Sequence, residues 1–467
     1  MKRYNILFIL LLGIPFQLAF AKIGKHQADS IVNAYIKQEI HDYYWLYDYN
    51  DTLSDNLTIV TWYDTFFVSN TYAYFIDESP YANWGHPCRY IFIGKQNGTI
   101  ETRLAQTPPV KQNWILKTKR LEVLPKEEFD LTKVMPKKSM RTNGATSYSD
   151  DYAIIISGGC DANENYERFW NNCSFMYKVL VGIYGYNPSH IYVIMSDGTD
   201  PGIDRTLENG NQDSSPLDLD GNGTNDIQYS ANEGNIANVF DKVAQKITKQ
   251  DNLFVYITDH GDRGGLHAES YIILWNYMSY TPYKLAAELN KINANSISVV
   301  MNPCYSGGFI SALEGSNRVI MTACKADQKS WSTNDHYYDE FSYYWISAMA
   351  GSFPNGNKAD ADANKDGFVS MEEAFLFAKK YDQQDETPQY SSVNAKTGQT
   401  ISLAGFICPA TDIVNETITQ NKTVSNCAVN IQNTVVKNGA KLTITAEKET
   451  TINTSFEVEK GGELEIR

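Results

Sequence analysis

Two residues suited to acyl-transfer chemistry stand just past the ends of apolar runs. Leu253-Phe254-Val255-Tyr256-Ile257 leads into Thr258-Asp259-His260-Gly261, and Ile297-Ser298-Val299-Val300-Met301 leads into Asn302-Pro303-Cys304-Tyr305-Ser306-Gly307-Gly308. A thiol is a strong nucleophile only as thiolate, and a neighbouring imidazole can take its proton. Glycines close to both residues let a substrate carbonyl approach the backbone. The amides of Gly261 and Cys304 are the natural donors to an oxyanion. A lone Cys or a lone His is usually structural. Two of them, each past a buried strand with glycine close behind, point to a Cys-His dyad.

For the two to meet, their strands must end at one edge. Short β-branched and aromatic runs bounded by Gly, Pro, Asn and Asp read as strands buried on both faces. Between them Thr281-Pro282 opens a helix, with Thr as cap and Pro in the first turn, and Leu285, Ala286, Leu289 and Ile292 form one apolar stripe. A strand, a crossover and a second parallel strand put His260 and Cys304 at the carboxyl edge, where open α/β sheets keep their sites. The pattern begins earlier, with strand Tyr152 to Ile156, a helix from Tyr166 to Val181, strand Ile191 to Met195 and a helix carrying Ile236, Val239, Phe240, Val243 and Ile247. Arg318 to Thr322 continues it. Alternating strands and helices predict an α/β fold around a parallel sheet.

Here the sequence resembles a known family. Tyr256-Ile257-Thr258-Asp259-His260-Gly261 and Cys304-Tyr305-Ser306-Gly307 are similar to the His-Gly and Cys motifs of the legumain family of cysteine peptidases. The likeness runs from Tyr152 to Gln389. It implies a caspase-like, mostly parallel sheet flanked by helices, and hydrolysis of peptide bonds through an acyl-enzyme. It also implies that Asn165, in Asn165-Tyr166, helps hold the catalytic His260, and that Asn302, Ser330 and Asp339 line the primary specificity pocket. Two family positions that are often Arg-His read Glu167-Arg168, and the acidic residue two before the catalytic Cys is Asn302. A carboxylate at Asp339 without its matched Arg favours Lys or Arg before the scissile bond. Arg168 swung onto Asp339 would instead restore a polar pocket that accepts Asn. A surface carboxylate is the plainer reading of Asp339. Members of the family that pass the acyl group to an amine make a transpeptidase or ligase the rival activity. A non-catalytic surface-binding protein is the other alternative.

Two stretches have the spacing of calcium loops. Asp362, Asn364, Asp366, Phe368, Ser370 and Glu373 fall at positions 1, 3, 5, 7, 9 and 12 of an EF-hand loop, with Gly367 at the sharp turn. Asp218, Asp220, Asn222, Thr224 and Asp226 repeat the pattern, but Tyr229 stands where the closing Glu belongs. An acidic turn is the alternative for each. The expected cofactor is structural Ca2+, with no redox or nucleotide cofactor.

The chain has 467 residues, 40 basic and 55 acidic, with a net charge of -15, which argues against a nucleic-acid partner. Residues 1–21 read as a signal peptide: Lys2 and Arg3, an apolar core, then Ala19-Phe20-Ala21. The protein is therefore expected to be secreted, in the periplasm, at the outer surface or outside the cell, with no membrane span. Its partner is a protein or peptide substrate. Seven cysteines leave at least one thiol unpaired in a monomer, which suits Cys304. Cys160 and Cys173 match no zinc pattern and read as buried hydrophobes or one disulfide.

Residues 22–140 form an N-terminal α+β region, with a helix from Ala28 to Tyr43 and antiparallel strands after Leu57. The Lys/Pro-rich stretch from Lys126 to Arg141 reads as an exposed linker, so this region is either a prosegment or an accessory domain. The peptidase domain spans 150–408. Residues 411–467 carry short, regularly spaced Thr/Val/Ile runs, a small all-β module that resembles coat-hanger stacks. It is either a stabilising cap or an appendage that contacts a cell surface or glycan.

Overall fold

Chain segments with period-two alternation become a two-faced sheet in the N-terminal part. The computed structural model describes residues 22–40, 44–50, 56–61, 65–78, 88–105, 107–109, 114–120, 129–133, 151–264, 267–406, 410–453 and 455–467. Residues 1–21, expected to be a signal peptide, and most of the stretch expected to be a linker lie outside these residues. Two compact units part between Glu122 and Val123.

In the first unit, five antiparallel strands run in the order Ile100–Ala105, Cys88–Gly94, Thr71–Asp77, Tyr44–Tyr49 and Trp114–Arg120. Tyr74, Ile76, Ile91 and Ile93 point to one face, where helix Lys25–Glu39 buries Ala28, Val32 and Ile36. Ala73, Phe75, Tyr90 and Phe92 point to the other, onto Leu57, Ile59, Phe66 and Val68 of the hairpin Asn56–Val60/Thr65–Ser69. Alternation along each strand supplies both cores.

The second unit is built on a seven-stranded sheet in the order Ile227–Tyr229, Ile191–Met195, Tyr152–Ser157, Asn252–Thr258, Ser296–Met301, Arg318–Thr322, Gln389–Ser392. Its strands are parallel except the last, which runs antiparallel to Arg318–Thr322. Every residue of Tyr152–Ser157, Asn252–Thr258 and Ser296–Met301 is buried, as their unbroken apolar runs require. Helices Glu167–Gly182, Glu340–Ala350 and Met371–Tyr381 cover one face, and Glu233–Ala244 and Pro282–Leu289 the other. Thr281 has the extended backbone of a cap but makes no side-chain cap bond.

A three-stranded hairpin sheet, His260–Gly264, His267–Leu274 and Met278–Tyr280, fills the interval between the His260 strand and that second helix. Residues 129–133 pack on helix Glu167–Gly182: the Phe129 ring lies 4.3 Å from that of Phe175, and Leu131 sits against Gly182.

Past Ala410 the strands stack in parallel. Ala410–Val414, Lys422–Gln432, Lys441–Ile452 and Glu463–Ile466 form one wall, and Thr417–Ile418, Val435–Val436 and Glu457–Val458 another. Ile413, Val429, Ile431, Val436, Leu442 and Ile444 are the core between them. Among the described residues no helix is long and apolar enough to cross a membrane.

Candidate active site

Register puts the two chemical residues side by side. Tyr256 pairs with Val300 and Ile257 with Met301 in parallel, and the Asn302 amide donates to the Ile257 carbonyl at 2.8 Å. His260 and Cys304 therefore leave the sheet at one edge on neighbouring strands. The backbones beyond them touch. A Cβ on Gly261 would lie 2.2 Å from the Cys304 carbonyl oxygen and 3.0 Å from its nitrogen, so no other residue fits without moving the cysteine. Tyr305 turns the chain with φ of 60° and starts the short turn Ser306–Phe309.

His260 is fully buried. Its Nε2 lies 2.6 Å from the Glu164 carbonyl oxygen. A carbonyl only accepts, so Nε2 carries the proton and Nδ1 keeps the lone pair. Tyr166 and Phe169 stand edge-on to the imidazole, at 5.3 and 5.0 Å between centroids. Asn165, the residue expected to help hold His260, does not itself meet the imidazole with its side chain among the described residues. Its side-chain Nδ2 donates to Ser196 Oγ and the Asp204 carbonyl, both at 2.7 Å, while the preceding carbonyl meets the imidazole. Asp259 Oδ1 accepts the amides of His260 at 2.7 Å and Gly159 at 3.0 Å, and burial raises its carboxyl pKa well above normal.

Cys304 is 1% exposed, and its sulfur accepts the Ser330 amide at 3.3 Å. Burial, with Cys324 nearby, pushes its pKa up to about 12. The resting group is a neutral thiol that needs a base. Among the described residues the Cys304 amide has no hydrogen-bond partner, which leaves it available to an oxyanion.

The expected unpaired carboxylate at Asp339 is not what the fold builds. Arg168 Nε lies 3.1 Å from Asp339 Oδ1, with side chains 2% and 0% exposed. Asp339 Oδ2 accepts Thr258 Oγ1 at 2.6 Å and Asn172 Nδ2 at 2.8 Å. The guanidinium is held over the rings of Tyr166 and Phe169. Glu167 turns elsewhere and accepts the Glu208 amide. Asn302 and Ser330 are joined through Ser330 Oγ, which donates to the Asn302 carbonyl at 2.5 Å. Both side-chain polar atoms of Asn302 are buried without a partner among the described residues. An amide in that position costs free energy until something hydrogen-bonds it. The neighbouring Trp331 is held at both backbone atoms: its amide donates to the Glu386 carboxylate, and its carbonyl accepts the Glu340 backbone amide. Burial raises the carboxyls of Glu340 to about 7 and Asp382 to about 6, and lifts Glu386 well above normal.

Sequence reasoning missed the Glu164 carbonyl, Asn172 and Thr258. A backbone acceptor has no residue-type signal, and the other two are joined to Asp339 only by the fold.

In the loop beginning at Asp218, carboxylate oxygens of Asp218, Asp220 and Asp226 lie within 4.8 Å of one another. Asn222 Oδ1 turns inward to the Thr224 amide. In the loop 362–373 Asp362 accepts the amides of Asp366 and Gly367, Asp366 that of Phe368, and Asn364 donates to Asp366. Ser370 and Glu373 cap helix Met371–Tyr381 reciprocally. Cys88, Cys160, Cys173, Cys304 and Cys324 are buried and form no disulfide among the described residues. Cys408 and the Cys427 side chain lie outside the described residues.

A crystal structure of a protein from Geobacter sulfurreducens aligns with 53% of this chain and 96% of its own, at 10% identity and a TM-score of 0.32. No curated protein matches the chain significantly. The model of the Peptidase C13 family matches residues 151–405, more than half the chain and the whole of the sheet, the Cys304 turn and the Arg168–Asp339 cluster. The chain belongs to the Peptidase C13 family and is a cysteine peptidase of the legumain type.

Proposed function

We propose that the chain is an endopeptidase in which Cys304 is the nucleophile and His260 the base. The observation that carries this is the bond from His260 Nε2 to the Glu164 carbonyl, which leaves Nδ1 as the basic atom at the edge that also holds Cys304. The Cys304 proton moves to Nδ1 as sulfur adds to the peptide carbonyl, and the oxyanion takes the Gly261 and Cys304 amides. The imidazolium returns the proton to the departing amine, leaving a thioester. Water, deprotonated by the same nitrogen, then releases the acid. Cys304→Ala and His260→Ala should each abolish hydrolysis with the fold intact, and full activity in either overturns the assignment.

For specificity we favour an uncharged polar residue, Asn, over Lys or Arg before the scissile bond. Asp339 already has Arg168 as its cation, and the Asn302 amide offers a donor and an acceptor to a carboxamide. A fluorogenic panel with Arg, Lys, Asn and Asp at that position tests this, and cleavage only after Arg or Lys would reverse it. Adding an amine nucleophile and analysing products separates a hydrolase from a ligase. A peptide-based thiol probe, which enters the site as a substrate would, that fails to label Cys304 would favour the non-catalytic alternative.

Around this core we read Ca2+ as a structural ion of the loops at Asp218 and Asp362, on the gathered carboxylates of the first and the EF-hand spacing of the second. We read the protein as exported, on its leader-like first 21 residues. The N-terminal unit is read as a prosegment, with an accessory domain as its alternative, and the stacked β-module as either a stabilising cap or a surface or glycan contact. Cell fractionation and a glycan-array screen test the two outer assignments.

A further inference from the structure

The direction of one carbonyl decides which nitrogen of His260 is basic, so whatever fixes that carbonyl also acts on the dyad. The Glu164 carbonyl and the Asn165 N–H belong to one planar peptide group and point opposite ways. That N–H donates to the Asp161 carbonyl at 2.8 Å, which aims the Glu164 oxygen toward the imidazole. Asp161 holds the turn a second time through its side chain. Its Oδ1 accepts the amides of Asn163 at 2.8 Å and Glu164 at 3.1 Å.

The other carboxylate oxygen of Asp161 is held from outside the turn. Tyr277, distant in sequence, donates its hydroxyl to Asp161 Oδ2 at 2.5 Å. Tyr277 and Asn276 are consecutive non-glycine residues with φ of 61° and 60°, a conformation that side chains adopt only when the surroundings enforce it. The Asn276 amide donates to the Cys160 carbonyl at 2.8 Å, so the strained corner is latched to the residues beside Asp161 by two bonds. Cys160 is wholly buried and gives that latch a fixed base.

We propose that Asp161 and Tyr277 are positioning residues for His260, acting through the Glu164 carbonyl. The inference rests on the Cys304–His260 dyad. A tightly aimed carbonyl does two things for catalysis. It selects the tautomer with Nδ1 basic, and it stabilises the imidazolium formed when Nδ1 takes the thiol proton, because a charged N–H donates more strongly than a neutral one. Loosening the turn should cost rate more than substrate affinity. It should also lower the basicity of His260.

The test compares Tyr277→Phe, Asp161→Ala and Asp161→Asn with wild type, using the best peptide of the fluorogenic panel across pH 4 to 9. Cys304→Ala and His260→Ala run as controls. Tyr277→Phe removes one hydroxyl and should lower kcat about threefold to tenfold, with KM within about twofold. Asp161→Ala should lower kcat about thirtyfold or more. In both, the acid limb of kcat/KM should move to lower pH by about half a unit. Asp161→Asn keeps the oxygen that caps Asn163 and Glu164 and should recover most of the loss. If Tyr277→Phe keeps both the kcat and the acid limb of wild type, the proposal is overturned. It is equally overturned if kcat falls only as melting temperature falls and the limb stays put. Should Asp161→Ala not fold, Tyr277→Phe and Asp161→Asn decide the question by the same two readouts. A wild type no more active than His260→Ala is a different failure: it removes the dyad itself.

Discussion

Replacing Arg168 by Met keeps an unbranched stem over the Tyr166 and Phe169 rings and deletes the guanidinium 3.1 Å from Asp339. Both partners are buried, so removing one leaves a carboxylate with only the Thr258 hydroxyl and the Asn172 amide. Breaking such a pair from one side costs about 3–5 kcal/mol. That loss should appear as a lower urea midpoint. Part of it can be returned by substrate. If an Arg side chain in the pocket restores even half, about 2 kcal/mol, the ratio of kcat/KM for Arg over Asn peptides should rise about thirtyfold. The assay is a pair of fluorogenic peptides that differ only at that residue, read for wild type and Arg168→Met. An unchanged ratio beside a lowered midpoint would refute the reasoning and make the pair a structural brace with no part in the pocket.

Burial raises Glu340 from 4.5 to about 7, Asp382 from 3.8 to about 6, and Glu386 well above its usual range, so the folded state binds more protons than the unfolded one between those values. Stability should be fullest at acid pH and fall as pH rises toward 7, a slope that Glu340→Gln combined with Glu386→Gln should flatten in melts from pH 4 to 8. Millimolar Ca2+ should raise the melting temperature by several degrees, an effect halved or lost in Asp220→Asn and Glu373→Gln; calcium without effect on wild type would remove both loops as sites. Cutting within 134–150 should raise activity if the N-terminal unit is inhibitory. Because Phe129 is packed on Phe175, the two fragments should still elute together after the cut, and Phe129→Ala should release the smaller one. Equal activity before and after cutting would favour the accessory role.

Local chemistry made much of this fold readable in advance. Buried parallel strands announce themselves as apolar runs, and glycine after His260 and near Cys304 marks places where backbones must meet, so the sheet edge that His260 and Cys304 share follows from short windows. The Asp339 environment does not, because its cation lies 171 residues away and nothing in either window says that the two will meet. The Glu164 carbonyl was invisible for a deeper reason: every residue has one, and only tertiary folding selects it. The hairpin from His260 to Tyr280 was hidden in a stretch that reads as a plain crossover, and the antiparallel strand Gln389–Ser392 is too short and too polar to stand out.

The burial of Cys304 bears on what damages the protein as well as on what it cuts. Peroxide reacts with thiolates that it can reach, and a residue 1% exposed, whose thiol pKa is pushed up to about 12 by burial, offers neither charge nor access. The resting molecule therefore stores its reactive atom in the form least open to sulfenic acid. In the proposed dyad the sulfur becomes oxidisable only when His260 draws off the proton, and a bound peptide then stands in the way. Oxidant should spare an idle sample far longer than thiol chemistry in solution would suggest.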